Sequence, residues 1–321
     1  MTGFIPPSPL ATPVLFLVFN RPETTARVFE AIRQARPPRL YVAADGARDG
    51  REGEAERTAE VRRIATAVDW PCEVRTLFRD RNLGCRDAVS GAITWFFENE
   101  EEGIILEDDC LPAQSFFWFC EAMLERYRDD MRIGQVSGYN AVPQTYSQFQ
   151  ASYVYSAYGS IWGWATWKDR WDAFEPFLDG AKGSGLLDFG LAALPQDEYP
   201  VVRRRQLQNA LSGKVNAWGY QWFFARLVSS YLSVVPCRNL IVNLGFGEDS
   251  THTSSAPKFE QPQLQETAIP PTSPPCVLRD RRRDIDLLDS VLAHRNLSLI
   301  RRIGKAAKTR LSALPLSGRK S

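Results

Sequence analysis

The stretch Gly103-Ile104-Ile105-Leu106-Glu107-Asp108-Asp109-Cys110-Leu111-Pro112 is a short apolar run that ends abruptly in three adjacent carboxylates. Its apolar part is typical of a buried strand, which Pro112 ends. Three neighbouring carboxylates repel one another, and a site that keeps them ionised usually holds a cation. A solvated acidic turn is the commoner explanation from composition alone. The surrounding chain therefore has to decide between the two.

Strands and helices are predicted to alternate three times before this triplet. Short connections between them favour right-handed crossovers and a mostly parallel sheet, so the fold class is α/β and Rossmann-like, with helices flanking the sheet. The predicted strands cover 14–19, 40–44, 72–78 and 103–106, and the predicted helices cover 23–36, 54–68 and 86–99.

Polar or glycine-rich residues follow three of these strands. Asn20-Arg21-Pro22 comes after the first, Asp45-Gly46 after the second, and the triplet after the fourth. Because the carboxyl ends of parallel strands share one edge of the sheet, we expect these residues to converge on one crevice. This expectation favours a binding site over a solvated turn.

Charge is distributed unevenly along the 321 residues. The formal net charge is only +1, but the segment Arg295 to Ser321 holds eight basic residues and no acid, so the rest of the chain is acidic. Positive charge at one end, rather than across a broad face, argues against a nucleic-acid binder. An anionic membrane surface is the expected partner of such a tail.

The cysteine content and the N-terminus indicate a cytoplasmic protein. Six scattered cysteines, no Cys-x-x-Cys pair and only two histidines are typical of free thiols in a reducing compartment. Residues 1–13 contain four prolines and no basic segment, and the apolar run 14–19 is too short to span a bilayer. Through its tail, the protein is expected to lie peripherally on the inner face of the plasma membrane.

The second half of the chain is rich in tryptophan. Rings separated by glycines can expose flat faces to a sugar, although core packing is the commoner explanation for any one ring. The candidate acceptor-binding rings are Trp162, Trp164, Trp167, Trp218 and Trp222.

Composition divides the chain into three parts. We predict a catalytic domain over 1–253, a linker rich in proline, serine and glutamine over 254–278, and a basic helical tail over 279–321. An apolar stripe from Ile300 to Leu314 suits either an interfacial membrane helix or a helix packed on the domain.

The motifs together resemble a glycosyltransferase of the A-type fold, and more narrowly bacterial sugar transferases related in layout to N-acetylglucosaminyltransferase I. The resemblance extends from Pro13 to Thr253 and includes the segments Arg81-Asn82-Leu83-Gly84, Trp218-Gly219-Tyr220-Gln221-Trp222 and Gly247-Glu248-Asp249-Ser250-Thr251-His252-Thr253. It implies transfer of a sugar from a nucleotide-diphosphate donor, with UDP expected, to a glycan or glycolipid of the bacterial surface, such as polysaccharide or lipopolysaccharide.

The resemblance also implies a role for each motif. Asp109 would bind Mn²⁺ or Mg²⁺, which stabilises the charge that develops on the departing diphosphate. Glu107 and Asp108 would contact the ribose and donor sugar, and Asp45 would accept from the uracil imide. Arg21 and Arg86 would approach the nucleotide or its phosphates, or else lie solvated at the surface. The remaining nucleotide-site candidates are Asn20, Gly46, Asn82 and Gly84.

The general base departs from the family pattern. Inverting relatives carry a carboxylate inside the Trp-x-x-x-Trp block, but this block contains no acid. A sugar hydroxyl needs a proton acceptor within about 3 Å. Asp249, Glu248 and Asp169 are the candidates for an inverting enzyme, with Asp249 preferred. Alternatively, the enzyme is retaining or has lost efficient turnover. His252 would complete the metal shell, bind the diphosphate or lie at the surface.

Two other functions compete with this one. A nucleotidyltransferase shares the sheet and the acidic residues, but normally has a glycine-rich phosphate loop where this chain has Asn20-Arg21-Pro22-Glu23. A non-catalytic carbohydrate-binding protein would keep the aromatic blocks and lack the base.

Overall fold

The first half of the chain forms four parallel strands, as predicted. The computed structural model describes residues 4–143, 150–172, 174, 208–209, 212, 214, 216–246 and 261–289. The strands are β1 Val14–Val18, β2 Arg39–Ala44, β3 Glu73–Phe78 and β4 Glu102–Glu107, and the helices between them are α1 Pro22–Ala35, α2 Glu54–Ala65 and α3 Gly84–Phe97. Neighbours run in the order β3-β2-β1-β4.

Helix α1 shows how local sequence sets these elements. Pro22 stands in its first turn, where a fixed φ favours the helix and the missing amide has no partner to lose. Buried Val28, Phe29 and Ile32 recur at helical spacing and face the sheet. The helix ends at Arg36, which adopts a left-handed φ of 53°.

The second half of the chain extends the same sheet. Its elements are β5 Cys110–Pro112, α4 Ser115–Tyr127, β6 Ile133–Ser137, β7 Tyr153–Ser156, β8 Trp164–Trp167, α5 Lys168–Asp172, α6 Gly219–Val228, β9 Leu232–Pro236, β10 Ile241–Asn243, a 3₁₀ turn Leu244–Phe246, and α7 over 281–289. The large sheet has the order β3-β2-β1-β4-β8-β6-β9-β7, and β5 pairs with β10. Strands β8 and β7 run antiparallel to their neighbours and the other six run in one direction, so the sheet is mixed and mostly parallel.

Most of the candidate acceptor tryptophans lie in the core. Trp164, Trp218 and Trp222 are buried and pack on one another between the sheet and helices α3 and α6. Trp167 is buried on the opposite face of the sheet. A ring without an exposed face cannot pack on a sugar, so the acceptor interpretation is corrected for these four rings.

The predicted linker is also corrected where the structure describes it. Glu266 accepts hydrogen bonds from the amides of Gln114 and Ser115 at 3.1 and 2.8 Å, which caps the amino end of α4. Further along, the Ser152 amide donates to the Thr272 carbonyl oxygen at 2.8 Å. Residues 261–278 therefore lie against the domain, although they form no helix and no strand.

Helix α7 packs on the domain. Asp284 is buried, pairs with Arg279 at 2.7 Å and accepts from the Ala157 amide at 3.2 Å, while Leu288 packs on Tyr158. The basic stripe of the predicted tail lies outside the described residues. Within the described parts of the chain, no helix is both long enough and apolar enough to cross a membrane.

Candidate active site

The centre of the site is a pair of ion pairs made by Arg21. Its guanidinium contacts Asp108 Oδ1 at 2.6 Å and Asp109 Oδ2 at 2.8 Å. Arg21 follows β1 and the two aspartates follow β4, which pair in parallel, so the strand order brings them together. The Arg21 side chain is 33% exposed, whereas those of Asp108 and Asp109 are 3% and 12% exposed. The site thus opens to solvent on the arginine side.

Asp108 is held from two directions. Besides Arg21, the Phe19 amide donates to its Oδ2 at 3.1 Å. Burial raises the pKa of Asp108 to about 6, even though Arg21 acts in the opposite direction. Arg21 thus favours the ionised form of a carboxylate whose charge is disfavoured by burial.

Glu107 differs from its two neighbours because no hydrogen-bond donor in the described residues reaches its carboxylate. It is half-buried at the end of β4. Burial raises the pKa of Glu107, and the charges of Asp109 and Asp108 raise it further. An ionised Glu107 would be stabilised by a cation, and its carboxylate has acceptor capacity for a ligand.

Asp109 is enclosed by a turn that the sequence did not reveal. The Leu244 amide donates to the Asp109 carbonyl oxygen at 2.6 Å. Asn243 Nδ2 lies 3.4 Å from Asp109 Oδ1. A Cβ at Gly245 would lie 2.5 Å from Asp109 Oδ2 and 3.0 Å from a guanidinium nitrogen of Arg21. The pairing of β10 with β5 thus lays the backbone of residue 245 directly on the ion pair.

A second part of the site forms around Asp45, after β2. Its carboxylate accepts from the amides of Gly46, Leu83 and Gly84 at 2.9, 3.0 and 3.1 Å. Asn82 Nδ2 donates to the Gly46 carbonyl oxygen at 2.8 Å. The segments after β2 and β3 therefore meet, because these two strands are neighbours in the sheet, and the Asp45 carboxylate fixes the start of α3.

Two glycines of this part of the site have different structural reasons. Gly46 is needed because another backbone segment packs closely on it, and Gly84 because its φ is positive. A side chain at Gly46 would collide with the backbone of Arg81. Gly84 has a φ of 79°, which favours glycine, and Asn216 lies over it. Asn216 Oδ1 also accepts from the Arg86 amide at 2.9 Å, so it caps α3 from far along the chain.

Asn20 takes part in a buried hydrogen-bond network with Glu54 and Arg48 that the sequence does not predict. Its Nδ2 donates to Glu54 Oε1 at 2.8 Å, and Glu54 Oε2 accepts from the Arg48 amide at 2.7 Å. Hydrogen bonds from Arg48 lower the pKa of Glu54 to about 2. This network anchors the loops after β1 and β2 to the start of α2. A glutamate at the start of a helix was the only available signal.

Two predicted site residues, Arg86 and Asp169, form ion pairs away from the acidic site. Arg86 pairs with its neighbour Asp87 at 2.8 Å. Asp169 pairs with Arg170 at the end of β8, which lies beside Glu102 at the amino end of β4. That end is about 17 Å from Glu107. Asp169 is therefore corrected as a candidate base, since it lies at the opposite edge of the sheet.

Trp162 is the candidate acceptor ring that stays partly exposed. It precedes β8 on the side where Trp164 pairs with Ile105, near the carboxyl end of β4. Its ring packs edge-on against Tyr139 at a centroid distance of 4.7 Å and is half-buried. Trp162 remains a candidate, and the others are core residues. Glu248, Asp249 and His252 lie outside the described residues.

The donor set of this site fits a hard divalent cation bound together with a phosphate ligand. Among the described residues, no group of three or more histidine, cysteine, aspartate or glutamate side chains is arranged so that it could hold a metal ion by itself. However, the two aspartates share one guanidinium, which leaves excess negative charge. Mg²⁺ and similar ions are commonly held by one or two carboxylates plus substrate phosphates. The residues present fit that arrangement.

Comparisons with known proteins add little to this geometry. No protein-family model and no curated protein matches the chain. Among solved structures, HddC from Yersinia pseudotuberculosis matches 49% of this chain and 77% of its own at 10% identity and a TM-score of 0.30. The inositol-1-phosphate CTP transferase from T. maritima matches 71% of this chain and 85% of its own at 10% identity and a TM-score of 0.38.

A third similar structure is the apo form of the bifunctional glycosyltransferase WbbM. The match covers 55% of this chain and 36% of WbbM, with 9% identity and a TM-score of 0.31. Similarities of this size carry no argument about this chain.

Proposed function

We propose that this protein is a metal-dependent glycosyltransferase that uses a nucleotide-diphosphate sugar, with UDP as the expected nucleotide. The observation that carries the proposal is the meeting of Arg21, Asp108 and Asp109 at the carboxyl ends of β1 and β4. Ligands of open α/β sheets bind at this edge. A fixed cation beside acceptor-rich carboxylates suits a ligand with both phosphate and sugar hydroxyl groups.

The metal would be Mn²⁺ or Mg²⁺, held by Asp109 and by donor phosphates, and it would stabilise negative charge on the leaving diphosphate. His252 is proposed as a further ligand, because it follows Gly245 by only seven residues and Gly245 lies on Asp109. No hydrogen-bond donor in the described part of the chain reaches Glu107, so its carboxylate oxygens are proposed to accept from sugar or ribose hydroxyl groups.

Asp249, and after it Glu248, is proposed as the base. With Asp169 placed at the opposite edge, these are the remaining acids of the original three candidates. The acceptor would be a glycan or glycolipid of the bacterial surface, and Trp162 is the ring proposed to contact it. The basic tail 295–321 is proposed to bind an anionic inner membrane face, which vesicle co-sedimentation with and without those residues would test.

The decisive experiment is a calorimetric titration of UDP with and without Mn²⁺. Wild type should bind UDP at least tenfold more tightly with Mn²⁺, and Asp109→Ala should lose this dependence. Asp129→Ala, a change at an exposed aspartate after α4, should behave as wild type. Equal UDP affinity in the presence and absence of metal would refute the role of the triplet.

The same preparation separates the alternatives. Release of pyrophosphate from a nucleoside triphosphate and a sugar phosphate would identify a nucleotidyltransferase instead. Pro22 at the start of α1 speaks against that reaction, because it removes an amide from the place where a phosphate loop would bind. Glycan binding without any nucleotide affinity would identify a non-catalytic protein.

A further inference from the structure

The backbone and side chain of Arg21 are held very differently. Its carbonyl oxygen accepts from the Thr25 amide at 3.0 Å and from the Thr25 hydroxyl at 2.7 Å, and Pro22 follows it. The backbone is thereby anchored to the first turn of α1. The guanidinium, by contrast, is a third exposed and is held only through Asp108 and Asp109 among the described residues. The side chain of Arg21 can therefore exchange its contacts while the backbone stays in place.

Arg21 occupies the oxygens that a metal would need. It contacts Asp109 Oδ2 and Asp108 Oδ1, while the Phe19 amide takes Asp108 Oδ2. The remaining Asp109 Oδ1 has weaker neighbours, Asn243 Nδ2 and Cys110 Sγ, both at 3.4 Å. A divalent ion that binds Asp109 strongly must therefore compete with the guanidinium.

Charge and geometry favour an exchange over simple addition. One guanidinium balances only one of the two aspartate charges that it contacts, whereas a divalent ion in its place would balance both. A second cation crowded beside Arg21 would instead be repelled by it. A released guanidinium has a planar fork of donors that matches a phosphate. The diphosphate that brings in the metal is thus also a new partner for the arginine.

We propose that Arg21 is an exchangeable internal counter-ion of the acidic site. Without ligand it neutralises Asp108 and Asp109 and keeps metal affinity low. When a divalent cation occupies Asp109 together with a diphosphate, the guanidinium moves from the carboxylates to the phosphate. Metal and diphosphate then bind with positive coupling, because each removes an obstacle to the other. The diphosphate step rests on the proposed function, whereas the competition between Arg21 and metal does not.

The competition is tested with Mn²⁺ alone, by following free Mn²⁺ with electron paramagnetic resonance. Arg21→Ala should bind Mn²⁺ at least tenfold more tightly than wild type. Arg27→Ala, at an exposed arginine further along α1, should match wild type. Mn²⁺ affinity in Arg21→Ala that is unchanged or weaker than in wild type would overturn the proposal.

A second variant protects the test against misfolding. Arg21→Gln keeps a hydrogen-bond donor near the carboxylates but removes the charge, and it should also bind Mn²⁺ more tightly. If circular dichroism shows that both variants are unfolded, Arg21 is a permanent structural ion pair and the proposal is wrong.

The diphosphate step is tested by titrating UDP with and without Mn²⁺. The gain in UDP affinity from Mn²⁺ should be at least tenfold in wild type and should shrink several-fold in Arg21→Ala. A gain of equal size in both proteins would overturn the step in which the guanidinium moves to phosphate. Tighter Mn²⁺ binding in Arg21→Ala, with no UDP binding by either protein, would support the exchange and refute the proposed function.

Discussion

The carboxylate of Asp45 accepts hydrogen bonds from the backbone amides of both Leu83 and Gly84, at 3.0 and 3.1 Å. Leu83 is the N-cap of α3 and Gly84 its first residue, so these amides have no partner within the helix. Asp45 therefore joins the end of β2 to the start of α3 before any ligand arrives. Its predicted contact with a nucleobase would have to coexist with this role or replace part of it.

Asp45→Ala should lower the free energy of unfolding by about 2 kcal/mol, because it leaves three backbone amides without their acceptor. Urea unfolding measures the change, and Asp49→Ala, in the exposed turn that follows, should cost much less. An unfolding midpoint equal to that of wild type would show that water replaces the carboxylate at no cost.

Glu54 should make the protein sensitive to acid. Because hydrogen bonds from Arg48 lower its pKa from 4.5 to about 2, the ionised form stabilises the fold. This contribution is complete above about pH 4.5 and is lost as the pH falls toward 2, and it amounts to roughly 2–3 kcal/mol.

The Glu54 contribution is measured as the difference in unfolding free energy between wild type and Glu54→Gln at pH 7 and pH 3. The difference should shrink at the lower pH. Glu56→Gln, at an exposed position of the same helix, should show little difference at either pH. A difference between wild type and Glu54→Gln that does not change with pH would contradict the assignment.

Gly245→Ala should impair ligand binding more than stability. The added methyl would press on Asp109 Oδ2 and the Arg21 guanidinium, and so displace one of them. Titration of UDP in the presence of saturating Mn²⁺ should show at least a tenfold loss of affinity, because both Asp109 and Arg21 are proposed to contact the bound metal–diphosphate. Gly50→Ala is the control, since Gly50 has a φ of 72° but no neighbour within 4 Å. It should cost about 1 kcal/mol of stability and leave UDP binding intact.

Trp222→Ala should cost about 3–5 kcal/mol of stability, because Trp222 is buried and its indole donates to Gln135 Oε1 at 2.8 Å. Trp162→Ala should cost less, since the ring is half-buried. Chemical unfolding measures both changes. If Trp222→Ala unfolds like wild type, its assignment to the core is wrong.

Much of the parallel half of the fold could be predicted from sequence. Local sequence patterns predict the apolar strand β1, the start of α1 at Pro22 and the polar residues that follow the strands. The parallel pairing of β1 with β4 then brings Arg21 to Asp109. The hydrogen bonds that join Asp45 to Leu83 and Gly84 were not predicted.

The remainder depends on contacts that no local pattern encodes. The sequence around Trp164 favours a core position only slightly over a sugar-binding one, and the antiparallel insertion of β8 between β4 and β6 decides it. That insertion also places Asp169 near the amino end of β4, at the edge of the sheet opposite the acidic site. Asn216 over Gly84 and Gly245 over Asp109 are contacts between segments more than 100 residues apart, so spacing could not reveal them.

The docking of residues 261–289 decides where the chain can be shortened. A truncation after residue 253 would keep the whole acidic site, yet it would remove the Glu266 cap of α4 and expose buried Ser156 and Ala157 beneath Asp284. Such a fragment should aggregate, because it exposes surface that is buried in the full chain. A fragment that ends after residue 289 keeps the contacts of Glu266 and Asp284 with the domain. The C-terminal segment as far as residue 289 is therefore part of the same folding unit as the acidic site.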